Sequence, residues 1–302
     1  MHNIFIDGRA GTTGLRIEER LAARPDITLL TLPDDLRKDT QARADLLNSA
    51  DVSFLCLPDD AAREAVALTT NPNSVIIDAS TAHRTTPGWA YGMPELGIKI
   101  NKTTRRIANP GCHASGFAAL AMPLIQAGLL QKSAQLTCIS LTGYSGAGKE
   151  AIAKYEDSPR KRGDALSAPM QYALGQTHKH LPEMVKHTGL EYAPLFCPMI
   201  ADYYAGMEVT IPLHGLAAGD ALACYRDFYA GAAVIQIVEP TGGPLPANYM
   251  SGRDSMEISV EGNDERLLLI ARFDNLGKGA SGAAVQCMNL AIGANETEGL
   301  VL

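Results

Sequence analysis

Short apolar runs alternate with amphipathic stretches along the N-terminal part of the chain, and this alternation restricts the possible folds most. Residues 3–7 read as an apolar strand. A glycine-punctuated turn follows, then a helical stretch to about Ala23 with Leu15, Ile17, Leu21 and Ala22 among its apolar positions. Ile27–Leu32 reads as a second strand, and Val52–Leu57 and Val75–Asp78 as further short ones. Such β-branched or apolar runs are the mark of a sheet buried on both faces. Helical material, notably Ala61–Leu68, lies between them. Strands alternating with helices imply parallel βαβ units, hence an α/β fold with a Rossmann-like, doubly wound parallel sheet.

The rhythm changes after Cys112. Phe117, Leu120, Ala121, Leu124 and Ile125 fall at helical spacing, and Pro123 is expected to kink or interrupt that helix. Met207, Val209, Ile211 and Leu213 alternate with Glu208, Thr210 and Pro212; Met256, Ile258 and Val260 alternate with Glu257, Ser259 and Glu261. This period of two predicts half-exposed strands in a largely antiparallel sheet, and so a second, α+β domain. The small-residue stripe of Ala280, Ala283, Ala284, Cys287 and Ala291 predicts a C-terminal helix able to pack closely on the first domain. The expected division is residues 1–112 plus 280–302 for one domain and 113–279 for the other.

Composition excludes several classes. The 302 residues are 46% hydrophobic and 20% charged, unlike a disordered chain. A net charge of −7 without a basic run argues against nucleic acid as a partner. No apolar run approaches bilayer length and the first residues do not read as a signal peptide, so no membrane partner and a cytoplasmic location are expected. The six cysteines form no C-x-x-C pair; five lie in apolar surroundings and are expected in the core. Cys112 is the exception.

The first turn, Gly8-Arg9-Ala10-Gly11-Thr12-Thr13-Gly14, reads G-x-x-G-x-x-G between strand and helix. Glycines there let the backbone approach a pyrophosphate, and the helix start offers N–H groups and a positive dipole. The ribose end is open from the residues alone. Asp34 and Asp35 stand where an acidic residue would suit NAD; Arg37, Lys38 or Arg9 would suit the 2′-phosphate of NADP.

Cys112, in Asn109-Pro110-Gly111-Cys112-His113-Ala114-Ser115-Gly116, sits after a Pro-Gly turn and before a helical pattern at the domain junction. A helix start favours thiolate over thiol, and its N–H groups can form an oxyanion hole. Cys112 is therefore a candidate nucleophile. His178 and His180, in Gln176-Thr177-His178-Lys179-His180-Leu181-Pro182-Glu183, are candidate proton-transfer groups. Pro182 predicts a helix start with Leu181 extended; an extended His178–His180 would point both rings one way. H-x-H could also be half a metal site, but no third ligand is apparent nearby, so no metal is expected. The loop Gly143-Tyr144-Ser145-Gly146-Ala147-Gly148-Lys149 has the makings of an anion pocket but is no Walker A sequence. Arg84, after the strand ending at Asp78, is placed to grip phosphate or carboxylate.

Taken in order, these segments resemble the short form of the N-acetyl-γ-glutamyl-phosphate reductase family, within the semialdehyde dehydrogenases. The resemblance covers the Gly8–Gly14 loop, Asp78–Arg84, Tyr91-Gly92-Met93-Pro94-Glu95-Leu96, Asn109–Cys112, Gly143–Lys149, His178–Glu183 and Asp274-Asn275-Leu276-Gly277-Lys278-Gly279-Ala280-Ser281-Gly282. Thr81-Ala82-His83 stands where longer relatives favour Ala-Asp-Phe. The resemblance implies NADPH-dependent reduction of an acyl phosphate to a semialdehyde, with release of phosphate, in arginine biosynthesis. It implies Cys112 as nucleophile, His180 as base and His178 as an orienting or substrate contact. Gly8, Arg9, Gly11, Thr12, Thr13, Gly14 and Arg37 would hold the cofactor, with Asn275, Lys278 and Gly279 near its nicotinamide. Arg84, Asn109, Ser145, Gly146 and Lys149 are the substrate candidates. A homodimer or homotetramer through the second domain is implied as well. The alternatives are another acyl-phosphate reductase, such as an aspartate-semialdehyde dehydrogenase, or a non-redox cysteine acyltransferase or hydrolase.

Overall fold

A computed structural model describes residues 1–157 and 163–302. In chain order the strands are β1 His2–Asp7, β2 Ile27–Leu30, β3 Val52–Leu55, β4 Val75–Asp78, β5 Ala90–Tyr91, β6 Arg106–Ala108, β7 Thr137–Gly143, β8 Met170–Gln171, β9 Leu195–Ala201, β10 Met207–His214, β11 Ile235–Ile237, β12 Met256–Gly262 and β13 Arg266–Phe273. The helices are α1 Thr12–Leu21, α2 Thr40–Ser49, α3 Asp59–Leu68, α4 Cys112–Gln126, α5 Lys149–Glu156, α6 Leu181–Thr188, α7 Ala218–Phe228 and α8 Gly282–Ile292. Two compact units result: Met1–Pro110 with Ala280–Leu300, and Gly111–Gly279 with Val301–Leu302. Among the described residues no helix is long and apolar enough to cross a membrane.

The first unit holds a parallel sheet in the order β2-β1-β3-β4-β6-β5. The strand order reverses beside β1, which places the Gly8–Gly14 turn at a topological switch point, where open α/β sheets bind ligands. Alternation along each strand feeds two cores. Ile4, Ile6, Val52, Phe54, Val75 and Ile77 meet Ile17 and Leu21 of α1 and Ala284 and Met288 of α8 on one face. Phe5, Leu55 and Ile76 meet Leu47 of α2 and Ala62 and Ala65 of α3 on the other. The second strand is shorter than expected, ending at Leu30 and not at Leu32. It is an edge strand, half-buried throughout, and Pro33 follows soon after.

The second unit is a mixed, mainly antiparallel sheet, β11-β12-β13-β10-β7-β9-β8, with β11·β12 and β7·β9 as its parallel pairs. Met207, Val209 and Ile211 are fully buried, as the period of two required, while Leu213 near the strand end is half-buried and Thr210 on the other face is buried as well. Helix α4 is buried nearly all round, because it packs on β10 and β13 as well as on α6 and α7. Gly116 permits that approach: a Cβ there would lie 2.5 Å from Val209 Cγ2.

The expected interruption at Pro123 does not occur. Helix α4 runs through it to Gln126. A proline removes the hydrogen bond to the carbonyl four residues earlier, which here is Ala119. Tyr229 Oη donates to that carbonyl at 2.8 Å, and Tyr225 Oη to Leu120 O at 2.7 Å. Tertiary partners thus satisfy what the proline leaves open.

The cysteine expectation needs a correction too. Cys138 and Cys287 are buried, whereas Cys56, Cys197 and Cys224 are only partly covered. Cys197 and Cys224 occupy half-exposed positions of β9 and α7, where apolar neighbours in sequence do not amount to a core position.

Candidate active site

In the first unit, backbone geometry explains the glycines of the first turn. Gly8 has φ +85°, and a Cβ on it would lie 2.2 Å from Cys56 O. A Cβ on Gly14 would lie 2.7 Å from Gly8 O and 2.9 Å from Arg9 Cα. Gly11 donates its N–H to Gly8 O at 2.9 Å and is the N-cap of α1 without a side-chain cap. The N–H groups opening the helix at Thr12 and Thr13 have no intrahelical partners and face a ligand's charge with a positive dipole. A cavity of about 350 Å³ adjoins this loop. Arg9, Arg37 and Lys38 line it, together with Asp7. Asp7 is paired with Arg43 at 3.0 Å, and burial raises its pKa against the pull of that guanidinium. Asp35 is exposed and stands outside the lining, while the side chain of Asp34 lies outside the described residues.

Arg84 does not present an open fork. It is buried and donates from Nε to Asn109 O at 2.9 Å and from Nη2 to Ala79 O at 3.1 Å, tying the turn after β4 to the turn after β6. The carbonyls left by two strand ends take the N–H groups that sequence assigned to an anion. Asn109 is 1% exposed. Its Nδ2 donates to Ala280 O at 3.0 Å, and its Oδ1 is a buried acceptor without a hydrogen bond among the described residues. A buried orphan of this kind marks a place for a ligand's N–H or O–H.

In the second unit, Cys112 is the first residue of α4, after the N-cap Gly111, which has no side-chain cap. It is half-exposed. A helix start in general favours thiolate over thiol. By contrast, burial pushes the Cys138 thiol up. Glu183, 1% exposed on α6, accepts the Gly111 N–H at 2.7 Å. That donor is therefore spent on the fold and is not available to a ligand. Gly279 packs directly on Cys112: a Cβ there would lie 2.9 Å from Cys112 Cβ.

His178 and His180 do converge, though not as an extended pair. His180 is helical (φ −81°, ψ −16°) and caps α6; Leu181 is its first residue and is not extended, because its N–H closes a turn onto His178 O at 3.0 Å. The rings meet edge-on, with centroids 4.7 Å apart. His178 Nδ1 accepts the His180 N–H at 3.2 Å, which orients the half-buried ring; His180 is buried. His113 lies against both, at 5.9 and 5.4 Å between centroids. Sequence reasoning gave no role to His113, Tyr172 or Glu183. For Glu183 the signal was present: an acid at the third position of a helix, next to the histidine pair. Tyr172 carried none.

Ser145 is buried and Gly146 exposed on the loop that ends β7. Asn275 binds that loop, donating from Nδ2 to Ser145 Oγ at 3.0 Å and accepting from Gly206 N at 2.9 Å. The fold thus joins Asn275, expected at the cofactor, to Ser145, expected at the substrate. Lys149 is exposed at the start of α5, while Lys278 is buried in the turn before α8. Among the described residues no group of three or more His, Cys, Asp and Glu side chains is set to hold a metal ion.

Such a pairing of a dinucleotide-type parallel-sheet unit with a cysteine-bearing α+β unit has close counterparts. Residues 30–102 match the family model of the semialdehyde dehydrogenase NAD binding domain, and residues 112–275 that of the semialdehyde dehydrogenase dimerisation domain. In fold, the chain is similar to aspartate semialdehyde dehydrogenase II of Vibrio cholerae, with a TM-score of 0.73 at 15% identity, covering 97% of this chain and 98% of that one. In sequence it is 44% identical to N-acetyl-gamma-glutamyl-phosphate reductase 2 of Pseudomonas putida, over 98% of each chain. It is 45% identical to the N-acetyl-gamma-glutamyl-phosphate reductase of Sinorhizobium medicae, over 96% of this chain and 99% of that protein. The chain belongs to the semialdehyde dehydrogenase family and, within it, to the N-acetyl-γ-glutamyl-phosphate reductases. It is accordingly an oxidoreductase that uses a nicotinamide cofactor.

Proposed function

We propose that the chain reduces N-acetyl-γ-glutamyl phosphate to N-acetylglutamate 5-semialdehyde with NADPH, in arginine biosynthesis, by way of a thioester on Cys112. The observation that carries this reading is the half-exposed Cys112 on the first turn of α4, beside a histidine cluster, in a chain with relatives of that name along nearly its whole length. The residues fit a dinucleotide. Gly8 and Gly14 leave a cradle that any Cβ would fill, and the helix start at Thr12 and Thr13 suits a pyrophosphate. Arg9, Arg37 and Lys38 around the adjoining cavity favour the 2′-phosphate of NADP over the bare ribose of NAD. When bound, the reduced nicotinamide supplies the hydride; the remaining chemistry belongs to the chain.

Cys112, as thiolate, attacks the acyl carbon, and the C–O bond to phosphate breaks to leave the thioester. The N–H groups of the first turn of α4 hold the negative oxygen that forms at each tetrahedral stage. His180 takes the thiol proton and returns it to sulfur when the reduced intermediate breaks down to aldehyde. The His178 ring, itself fixed by the His180 N–H, packs edge-on against the His180 ring, and Glu183 holds Gly111 and hence the helix start in place. Asn109 offers its buried Oδ1 to a substrate donor. Ser145 and Gly146, on the loop braced by Asn275, and Lys149 are the remaining candidates for the phosphate or carboxylate. Assembly as a homodimer or homotetramer through the second unit, in the cytoplasm, completes the reading; the family model matched there is that of a dimerisation domain.

The test runs the reaction backwards: phosphate-dependent oxidation of N-acetylglutamate semialdehyde, with NADP and NAD compared, and aspartate semialdehyde as rival substrate. A preference for the acetylated substrate with NADP is expected; a preference for aspartate semialdehyde would overturn the substrate assignment. Cys112→Ser should fold, bind NADPH and turn over almost nothing, and substantial activity in it would remove the thioester.

A further inference from the structure

Behind the nucleophile runs a hydrogen-bonded file of three side chains, all within the second unit. Ser140 Oγ on β7, 0% exposed as a residue, lies 2.7 Å from His113 Nδ1. His113 Nε2 lies 2.6 Å from Tyr172 Oη. The His113 ring is buried and fixed edge-on by Phe196, with centroids 5.2 Å apart. Neither Ser140 Oγ nor Tyr172 Oη makes another hydrogen bond among the described residues.

Donor accounting decides which way the file points. Neutral imidazole carries one N–H and one lone pair, and a hydroxyl one O–H. If Nδ1 bore the proton, it would donate to Ser140, and the buried Ser140 O–H would have no acceptor. If Nε2 bears it, Ser140 donates to Nδ1, His113 donates to Tyr172 Oη, and every buried donor is used. One proton then remains at the far end, on the half-buried Tyr172 phenol, and it has no acceptor among the described residues. Buried polar groups are nearly always satisfied, so the second arrangement wins.

We infer that His113 is a positioning residue: held by Ser140 as the Nε2–H tautomer, it fixes Tyr172 so that the phenolic O–H is left to donate to an oxygen of the bound acyl phosphate. This rests on the reductase reading above and adds to it a donor that is not a backbone N–H. Two electrostatic effects agree. Burial, and then the nearby His178, push the His113 pKa down to about 3, so the ring stays neutral and keeps its lone pair on Nδ1. Burial, and then the charge of Cys112, push the Tyr172 phenol up, so it keeps the proton it is to donate and stands within electrostatic reach of the nucleophile.

The first measurement needs no turnover. Ring ¹⁵N shifts of His113, assigned with the His113→Gln variant, should show the proton on Nε2; a proton on Nδ1 overturns the file's direction. The second is kinetic. Tyr172→Phe should lower kcat/KM by roughly 10- to 100-fold, the scale of one lost transition-state donor, with NADPH affinity unchanged. His113→Gln keeps an N–H for Tyr172 and should lose less than His113→Leu. In the Tyr172→Phe background, His113→Gln should cost nothing further. An unchanged kcat/KM in Tyr172→Phe, or losses that multiply in the double variant, would overturn the role of His113. If the wild-type protein reduced no acyl phosphate, the reductase reading and the named ligand would fall together, while the ring-nitrogen result would still decide the file.

Discussion

Gly279→Ala separates activity from stability in a way the geometry around Cys112 dictates. The new methyl carbon would lie 2.9 Å from Cys112 Cβ, 3.1 Å from Asp274 O and 3.3 Å from Phe273 Cε2. Carbon–carbon contact is relaxed at about 3.5–4.0 Å, so the pair must part by something under an ångström. Retreat of the backbone is resisted, because the Gly279 N–H is bonded to that same Asp274 O at 2.9 Å. Phe273 is fully buried and cannot swing out. Overpacking of this kind costs about 1–3 kcal/mol. The lower entropy of the unfolded alanine chain offsets about 0.4–1 kcal/mol of that. A net destabilisation of roughly 1–2 kcal/mol follows, which a folded enzyme survives. Turnover is less forgiving, since a misplacement of about 1 Å at a reacting atom costs on the order of a hundredfold. Urea unfolding, kcat and the alkylation rate of Cys112 measured on one preparation test this. Wild-type turnover together with wild-type alkylation would show that Gly279 does not set the position of the thiol.

Arg37→Ala should raise the KM for NADPH by tenfold or more, the range of one lost hydrogen bond to a charged group, and leave NADH almost untouched; an equal loss with both cofactors would place Arg37 away from the 2′-phosphate. Tyr229→Phe leaves Ala119 O, already without its helical partner because of Pro123, as a buried acceptor with no donor. Chemical denaturation should report a loss of about 1–3 kcal/mol, and no loss would mean that water or the helix itself repairs the gap. Stability should also fall in mild acid. His113 titrates at about 3 in the folded chain and at about 6.5 when unfolded. The unfolded state therefore takes up the proton first, and stability drops as pH falls below about 6.5, by about 2 kcal/mol between pH 7 and pH 5 from this group. His113→Gln should flatten that part of the profile, and an unchanged slope would assign the acid sensitivity elsewhere.

Local pattern made much of the fold legible. The strands β1, β3 and β4 announced themselves because both of their faces are buried, which leaves unbroken apolar runs. The strands β10 and β12 did so because one face is half-exposed, which leaves alternation. The turn of Gly8, Gly11 and Gly14 was readable from its spacing between strand and helix; Gly14 is required by the turn's own backbone, whereas Gly8 is required by Cys56 O from a distant strand end. Errors came where a distant residue repairs a local fault. Pro123 is expected to kink or interrupt α4; the helix is not interrupted, and Tyr229, 106 positions further on, supplies the donor that the proline removes. Leu181 before Pro182 should be extended, but the turn onto His178 O outweighs that preference.

In the candidate site the same division holds. Cys112, His178 and His180 are chemistry-bearing residues in telling neighbourhoods, so their types and spacing marked them. Arg84 has the right type, yet its guanidinium goes to Asn109 O and Ala79 O, two strand ends far apart in sequence. Gly279 could be noticed but not understood, since its constraint is the Cβ of a residue in another helix.

From the linear order of residues follow the two kinds of sheet, the glycine-punctuated first turn and the candidacy of Cys112 as a nucleophile, because each depends on periodicity or on neighbours within a few positions. Folding alone establishes that His113 joins the histidine pair, that Ser140 and Tyr172 bracket it, and that Glu183 spends a helix N–H on holding Gly111. Hydrogen bonds and close contacts between distant segments obey no sequence period, so they become visible when the chain has brought their partners together.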